Sequence, residues 1–149
     1  MKHLTLKIFI IEAVICFALY GCNVQTSKYA LCMNSNWHIN LPSENARLYE
    51  ESTGVSFTGD GIRYHILQYD KNDIDTISQS FDWKNDALPD DLANKANQWL
   101  DQINIPTEKR PETAKCKYVS LTRDPKKPDC LIMFLNEDTN ELYAIEFFL

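Results

Sequence analysis

The residues of this chain that could do chemistry are its five cysteines, three histidines and 21 carboxylates. A Cys32 and His38 pair has a spacing that fits no nucleophilic arrangement we can justify, and a disulfide would consume the thiol. His38 and His65 lack partners at zinc spacing, and no C-x-x-C pair occurs. Serine-nucleophile elbows and phosphate-binding glycine loops are also missing from the sequence. We therefore predict a protein that is not an enzyme, with no metal site and no cofactor.

The acidic segment 70–75 has the sequence DKNDID, which could be mistaken for a calcium loop. An EF-hand needs glycine at position 6 and glutamate at position 12, where this chain has Asp75 and Phe81. We interpret the segment as a helix start that Asn72 or Asp73 can cap.

One cysteine, Cys22, stands at the end of a short N-terminal apolar run. Lys2 and Lys7 precede the run, and residues 8–20 are apolar apart from Glu12, which is the pattern of an export signal. A membrane-spanning helix needs about 20 apolar residues. A permanent transmembrane anchor is therefore the less favoured interpretation.

The end of this run, Leu19-Tyr20-Gly21-Cys22, resembles the lipobox of bacterial lipoprotein precursors. The resemblance covers residues 1–22 and implies cleavage between Gly21 and Cys22. It also implies a Cys22 that carries a diacylglycerol and a further acyl chain such as palmitate, which together give stable anchoring in a membrane. A plain cleaved signal, with Cys22 unmodified, is the alternative. Asn23 is not the aspartate of inner-membrane retention, so a source with an outer membrane should place the protein there.

The remaining length and charge predict one acidic domain. Removing residues 1–21 leaves 128 residues and takes away two lysines and one glutamate, so the net charge becomes −7. This balance argues against nucleic acid as a partner, because phosphates require a basic face. It suits a basic protein partner, although simple solubility also accounts for it.

Three thiols remain once Cys22 carries lipid, and export would allow a disulfide among Cys32, Cys116 and Cys130. The turn RDPKKPD, centred on Lys126, places Cys130 opposite Thr122. Cys116 and Cys130 then lie about 20 Å apart at ~3.3 Å per residue, too far to pair. We predict a disulfide from Cys32 to Cys116 or to Cys130.

Periodicity predicts strands, then helices, then strands. Glycines on both sides of Asp60 predict a tight hairpin between strands at 47–57 and 62–69. Apolar faces predict helices near 74–81 and 89–103. Strands follow at 117–122, 130–135 and 142–148, of which the second, LIMFL at 131–135, is apolar on both faces and should be the central, most buried strand.

These elements predict an α+β domain: an antiparallel sheet of about five strands with two helices packed on one face. We divide the chain into a signal peptide at 1–21, a polar tether at 22–36 and a single domain at 37–149. The GDG hairpin and the C-terminal ELYAIEF strand resemble small bacterial lipoproteins of an uncharacterised type, which implies no activity.

Trp83, in the connector FDWKND, is either an exposed anchor for a partner or a lid over the sheet. The favoured function is a membrane-anchored envelope lipoprotein whose domain is a non-catalytic binding or inhibitory module, such as an immunity protein. An envelope hydrolase with an unrecognised active site and a structural envelope lipoprotein are the alternatives.

Overall fold

Five strands form one antiparallel sheet in the computed structural model, which describes residues 28–54 and 59–149. Within these residues the elements are α1 (Tyr29–Trp37), β1 (Ala46–Ser52), β2 (Gly61–Gln68), α2 (Lys71–Ser80), α3 (Asp90–Gln102), β3 (Lys117–Thr122), β4 (Cys130–Asn136) and β5 (Glu141–Phe148). Two short 3-10 turns, Thr107–Lys109 and Thr113–Lys115, lie between α3 and β3. The predicted five-stranded α+β architecture is confirmed.

The strand order is β1-β2-β5-β4-β3, so β5 occupies the middle of the sheet. The apolar strand β4 was expected in the centre, and it lies one position away, between β5 and β3. All seven of its residues are buried, as its sequence predicts. The difference arises because β2 pairs with β5 along its whole length and thereby extends the sheet beyond the meander.

The register predicted for the β3–β4 hairpin is confirmed. Thr122 pairs with Cys130 and Lys117 pairs with Leu135, as a turn centred on Lys126 requires. A hairpin fixes its register through the length and type of its turn, which is why the sequence was sufficient here.

The connection between β1 and β2 runs from Thr53 to Asp60, so it is longer than the tight turn predicted at the GDG segment, which lies where this connection enters β2. Gly59 has a φ of +81° and Gly61 a φ of +134°, conformations that favour glycine. Thr53 closes the turn, because its backbone N–H donates to the carbonyl of Ile62 at 3.0 Å. The strand predicted at 47–57 ends at Ser52, and residues 55–58 lie outside the described part of the chain.

The predicted placement of both helices on one face of the sheet is not confirmed. Ile74 and Ile77 of α2 join one core cluster, together with α1, whereas Trp99 and Leu100 of α3 join the cluster on the other face. The physical reason lies in β4, whose alternate residues belong to the two clusters. A strand that is apolar on both faces needs cover on both.

The structure also corrects the predicted tether at 22–36. From Tyr29 onward this segment is helix α1, and Ala30, Met33 and Trp37 bury one side of it in the core. Glu44 stabilises its start, since its carboxylate accepts the backbone N–H groups of Tyr29 at 2.5 Å and Ala30 at 3.2 Å. Sequence periodicity missed α1 because its apolar residues form a continuous run at 29–33, which has no helical spacing.

Residues 22–27 of the predicted tether and the whole predicted signal, including Gly21, lie outside the described residues, as does Cys22. Among the helices of the described ranges, none is long and apolar enough to cross a membrane.

We expect Gly61→Ala to destabilise the fold by about 2 kcal/mol or more, because strain and collision add together. A Cβ at position 61 would lie 2.2 Å from Thr53 Oγ1, and that oxygen accepts the Ile62 N–H at 3.1 Å, so moving it away would break a hydrogen bond. Urea denaturation measures the difference in the free energy of unfolding.

Gly59→Ala is the matched control for this substitution. A Cβ at position 59 meets nothing within 4 Å, so only the backbone strain of its φ of +81° remains, at about 1 kcal/mol. Equal losses in the two variants would contradict the role assigned to Thr53.

Candidate functional site

A cavity of about 700 Å³ lies between α3, the connector at 85–88, and the 3-10 turns that follow α3. We call it the α3 cavity. Its apolar floor comes from α3 and β4, where Ala96, Leu100 and Phe134 are at most 4% exposed. Its volume falls within the about 300–1,000 Å³ that is usual for binding sites in proteins.

One wall of the cavity is a single face of helix α3. Ala93, Ala96, Asn97 and Leu100 have the i, i+3, i+4, i+7 spacing of one helix face, and all four line the cavity. Two of the four are alanines, so the helix approaches the sheet without filling the space beside it. The helix ends where Asn104 adopts a φ of +55° and the N–H of Ile105 donates to Leu100 at 2.9 Å.

Arg110 fixes the far wall of the cavity. Its Nε and Nη2 donate to the carbonyl of Ile105 at 3.0 and 2.8 Å, and Nη2 also lies 2.7 Å from the Asp101 carboxylate. These contacts hold the segment after α3 against the end of that helix. The contact with Asp101 also compensates the positive charge of the Arg110 guanidinium.

Two carboxylates, Asp86 and Glu112, line the same cavity. Glu112 pairs with Lys115 at 2.7 Å. Asp86 receives one long hydrogen bond, from the Tyr118 hydroxyl at 3.4 Å. The cavity therefore combines an apolar floor with a carboxylate that has weak partners.

Cys116 lines the cavity as well, but its thiol is poorly suited to nucleophilic chemistry. Burial, together with the smaller effects of the nearby Glu112 and Glu141, raises its pKa to about 11. The thiol is therefore protonated at neutral pH, whereas the thiolate is the reactive form. Cys116 is therefore not an activated nucleophile in this arrangement.

The structure does not bring together the cysteines that were predicted to pair. Cys32, Cys116 and Cys130 all have free thiols, with Cys32 exposed on α1 and Cys130 buried. The sheet separates them, because α1 packs on one face while Cys116 and Cys130 belong to the cluster on the other. The described residues therefore do not show the predicted disulfide from Cys32 to Cys116 or Cys130.

Trp83 acts as a lid, which is the favoured of the two sequence interpretations. Its indole Nε1 donates to the carbonyl of Ile77 at 2.9 Å, and its ring meets Phe81 edge-to-face at 5.6 Å. Both rings are half-buried against the cluster beneath α1 and α2. The connector continues into Lys84, which forms a bridge with Tyr118 at the edge of β3.

Sequence reasoning missed a group of polar side chains beneath α1, which we call the α1 seat: Tyr29, Trp37, His65 and Glu146. Glu146 is fully buried, and it accepts hydrogen bonds from the Tyr29 hydroxyl and, at 2.6 Å, from Trp37 Nε1. Burial raises the pKa of its carboxyl, although these two hydrogen bonds oppose the shift. The available signal was an acidic residue, Glu146, within the alternate apolar series Leu142, Ala144 and Phe148 of β5.

His65 completes the α1 seat without forming hydrogen bonds of its own. Its ring stacks on Tyr29 with the centroids 3.3 Å apart, and neither ring nitrogen has a hydrogen-bond partner among the described residues. Burial lowers its pKa to about 3, and Arg47 and Arg63 contribute to the shift. The seat lines neither the α3 cavity nor a smaller cavity of about 400 Å³ near Pro89. It is therefore a packing contact.

The segment 70–75 is a helix start, as interpreted, although a different residue caps it. Asp70 accepts the N–H of Asp73 at 2.9 Å at the beginning of α2. In the part of the chain that the structure describes, no group of three or more His, Cys, Asp or Glu side chains could hold a metal ion.

Comparisons of the sequence with protein-family models and with curated proteins, and of the fold with solved structures, found no match.

We expect His65→Phe to keep or increase the stability at neutral pH and to weaken its dependence on acid. Phenylalanine preserves the stacking on Tyr29 and removes two buried nitrogens that lack partners. Because the pKa of His65 is lowered to about 3 in the fold, its contribution is complete above about pH 6.5 and is lost as the pH falls toward 3. Urea denaturation at several pH values measures the slope.

The raised pKa of Glu146 acts in the opposite direction, because its contribution to stability declines as the pH rises through that value. Glu146 is present in both the parent and the His65→Phe protein, so the difference between their pH slopes of unfolding free energy reports on His65. His38→Asn is the control, since His38 has a left-handed backbone at the end of α1 that asparagine tolerates. A His65→Phe protein with an unchanged acid slope would contradict the assignment.

Proposed function

We propose that this chain is a lipid-anchored protein of the bacterial cell envelope whose domain binds a basic protein partner without turnover, as an inhibitor or immunity protein does. The observation that carries the binding role is the α3 cavity, which has a preformed apolar floor and two carboxylates at its sides. Such a cavity is suited to recognition, because apolar area supplies affinity and a few polar groups supply orientation.

The anchor rests on the sequence of the N-terminal region. Cleavage before Cys22 would leave six residues, 23–28, between the lipid-bearing residue and α1. Fully extended, that stretch spans at most about 25 Å at ~3.6 Å per residue. A domain held this close to the membrane would meet a partner that acts at or crosses the envelope. In a bacterium with two membranes, we expect the outer membrane as its location.

The charge of the chain favours a basic partner. After removal of residues 1–21 the net charge is −7, and the charged residues that line the α3 cavity are Asp86, Arg110 and Glu112. The one cation among them is already engaged by Asp101. Complementary charge would accelerate encounter with a basic protein and weaken with salt.

Turnover is the less favoured alternative, on the chemistry of the groups in place. The Cys116 thiol is held protonated, and His65 is stacked inside the α1 seat, away from the cavity. An envelope hydrolase that uses other groups and a purely structural envelope role remain the competing proposals, which the experiments below separate.

We expect Cys22 to be acylated and to be the first residue of the mature protein. Mass spectrometry of the membrane fraction should find a diacylglycerol-modified N-terminal peptide. Cys22→Ala should abolish processing and acylation, because the thiol is the acceptor of the lipid. A Cys22→Ala protein that is still processed and bound to the membrane would overturn the anchor.

We expect the full-length acylated protein, solubilised in mild detergent, to capture one basic protein in stoichiometric amount from an envelope extract. The captured amount should fall several-fold as the ionic strength rises and the Debye length shrinks to about 8 Å. Asp86→Asn tests the cavity and Asp75→Asn is the control, because Asp75 pairs with Lys71 on α2 and does not line the cavity. Hydrolysis of an envelope substrate that disappears on replacement of a single polar residue would refute the non-catalytic role.

A further inference from the structure

We infer that the α3 cavity is a socket for one lysine or arginine side chain presented by a short basic segment of the partner, with Asp86 as the counter-ion. This inference rests on the proposed binding function and adds to it the chemistry of what enters the cavity. Three features of the described residues carry it: the floor, the state of the charges and the polar groups of the wall.

The floor suits the aliphatic stem of a long cationic side chain. Ala96, Leu100 and Phe134 are buried beneath the cavity and present apolar atoms, and the half-buried Leu88 extends this surface. Lysine and arginine lay their methylene groups along apolar surface while the charged end stays near water or a carboxylate. A stem on this floor would remove apolar area from water on both sides of the contact.

The charges of the lining select a cation. Arg110 is neutralised by Asp101 and held by the carbonyl of Ile105, so an anionic ligand would find no available cation among the described lining residues. Glu112 is compensated by Lys115. Asp86 is the carboxylate with the weakest compensation, because its hydrogen bond from the Tyr118 hydroxyl is long, at 3.4 Å.

The negative charge of Asp86 raises the pKa of two neighbouring groups. Burial and Asp86 both raise the pKa of the Tyr118 hydroxyl, and Asp86 also raises the pKa of the Lys84 ammonium, after the larger effect of Asp82. A carboxylate that stabilises nearby protons and cations in this way would also stabilise an incoming ammonium or guanidinium. Lys84 forms its ion pair with Asp82, at 2.6 Å, so Asp86 can still pair with a further cation.

The wall provides groups for the backbone of the inserted segment. Asn85, Asn97, Thr107 and Thr113 line the cavity between the two carboxylates and the floor. Their amides and hydroxyls both donate and accept hydrogen bonds, which matches the N–H and C=O groups of a peptide. The volume of about 700 Å³ has room for the segment as well as for the side chain.

The test uses three capped tripeptides that differ in the central side chain: Ac-Gly-Lys-Gly-NH2, its norleucine counterpart without the charge, and its glutamate counterpart with the opposite charge. Each is titrated into the full-length acylated protein in detergent, with the backbone amide signals followed by NMR. We expect the lysine peptide to shift the amides of Ala93, Ala96 and Asn97 saturably, with a Kd of about 1 mM. Norleucine should bind about fivefold more weakly and glutamate should not bind, as one exposed charge pair predicts.

Asp86→Asn should weaken binding of the lysine peptide by about fivefold and leave binding of the norleucine peptide unchanged, whereas Asp75→Asn should change neither, because Asp75 pairs with Lys71 and does not line the cavity. Both residues are exposed, so neither substitution threatens the fold. Absence of saturable shifts at the cavity amides, equal binding of all three peptides, or an Asp86→Asn protein that binds lysine as well as the parent would each overturn the socket.

The outcomes separate the socket from the proposed function. Peptide binding without capture of a protein from the envelope supports the socket and refutes the basic partner. Capture of a protein that Asp86→Asn leaves undiminished supports the partner and overturns the socket.

Discussion

The buried carboxylate of Glu146 is the contact on which the arrangement of this domain depends. It stands on β5, the middle strand, and it binds both aromatic ends of α1 through Tyr29 and Trp37. A buried carboxylate is costly unless hydrogen bonds satisfy it. Helix α1 has nine residues, no acid in its first turn and no side-chain cap of its own, so it is marginal alone. Its helical state therefore depends on Glu146 at one side and on Glu44 at its start.

The two faces of the sheet perform different tasks because different helices cover them. On one face, α1 covers the α1 seat, where aromatic rings and a carboxylate fill the space, and α2 packs into the same core cluster. On the other face, α3 lies across the sheet with alanines toward the cavity and leaves about 700 Å³ beside Phe134. The first face holds the N-terminal segment in place, and the second offers a surface for binding. This division follows from β4, whose apolar residues point both ways.

Much of the fold follows from local patterns in the sequence, and the parts that do not follow depend on distant contacts. Turn chemistry around Lys126 predicts the register of β3 with β4, and apolar spacing predicts α2 and α3. Helix α1 could not be predicted in this way, because Glu44 and Glu146 stabilise it from afar. Neither could the face on which each helix packs. The α3 cavity depends on small side chains of one helix meeting a connector and two turns, and no spacing in the sequence indicates that meeting. The acidic character of its walls agrees with the net charge, but the composition does not show where that charge is concentrated.

The position of β5 has a consequence for the order in which the chain can fold. β2 pairs with β5 from Gly61 with Phe148 to Gln68 with Glu141, so two segments at opposite ends of the domain must find each other. Such non-local pairing is slow, because the loop entropy is lost before the contacts form. Before β5 pairs with β2, one edge of the β1–β2 hairpin is unpaired, and α1 lacks its hydrogen bonds to Glu146. During synthesis, β2 and α1 can therefore make these contacts only after the C-terminal strand β5 has been made.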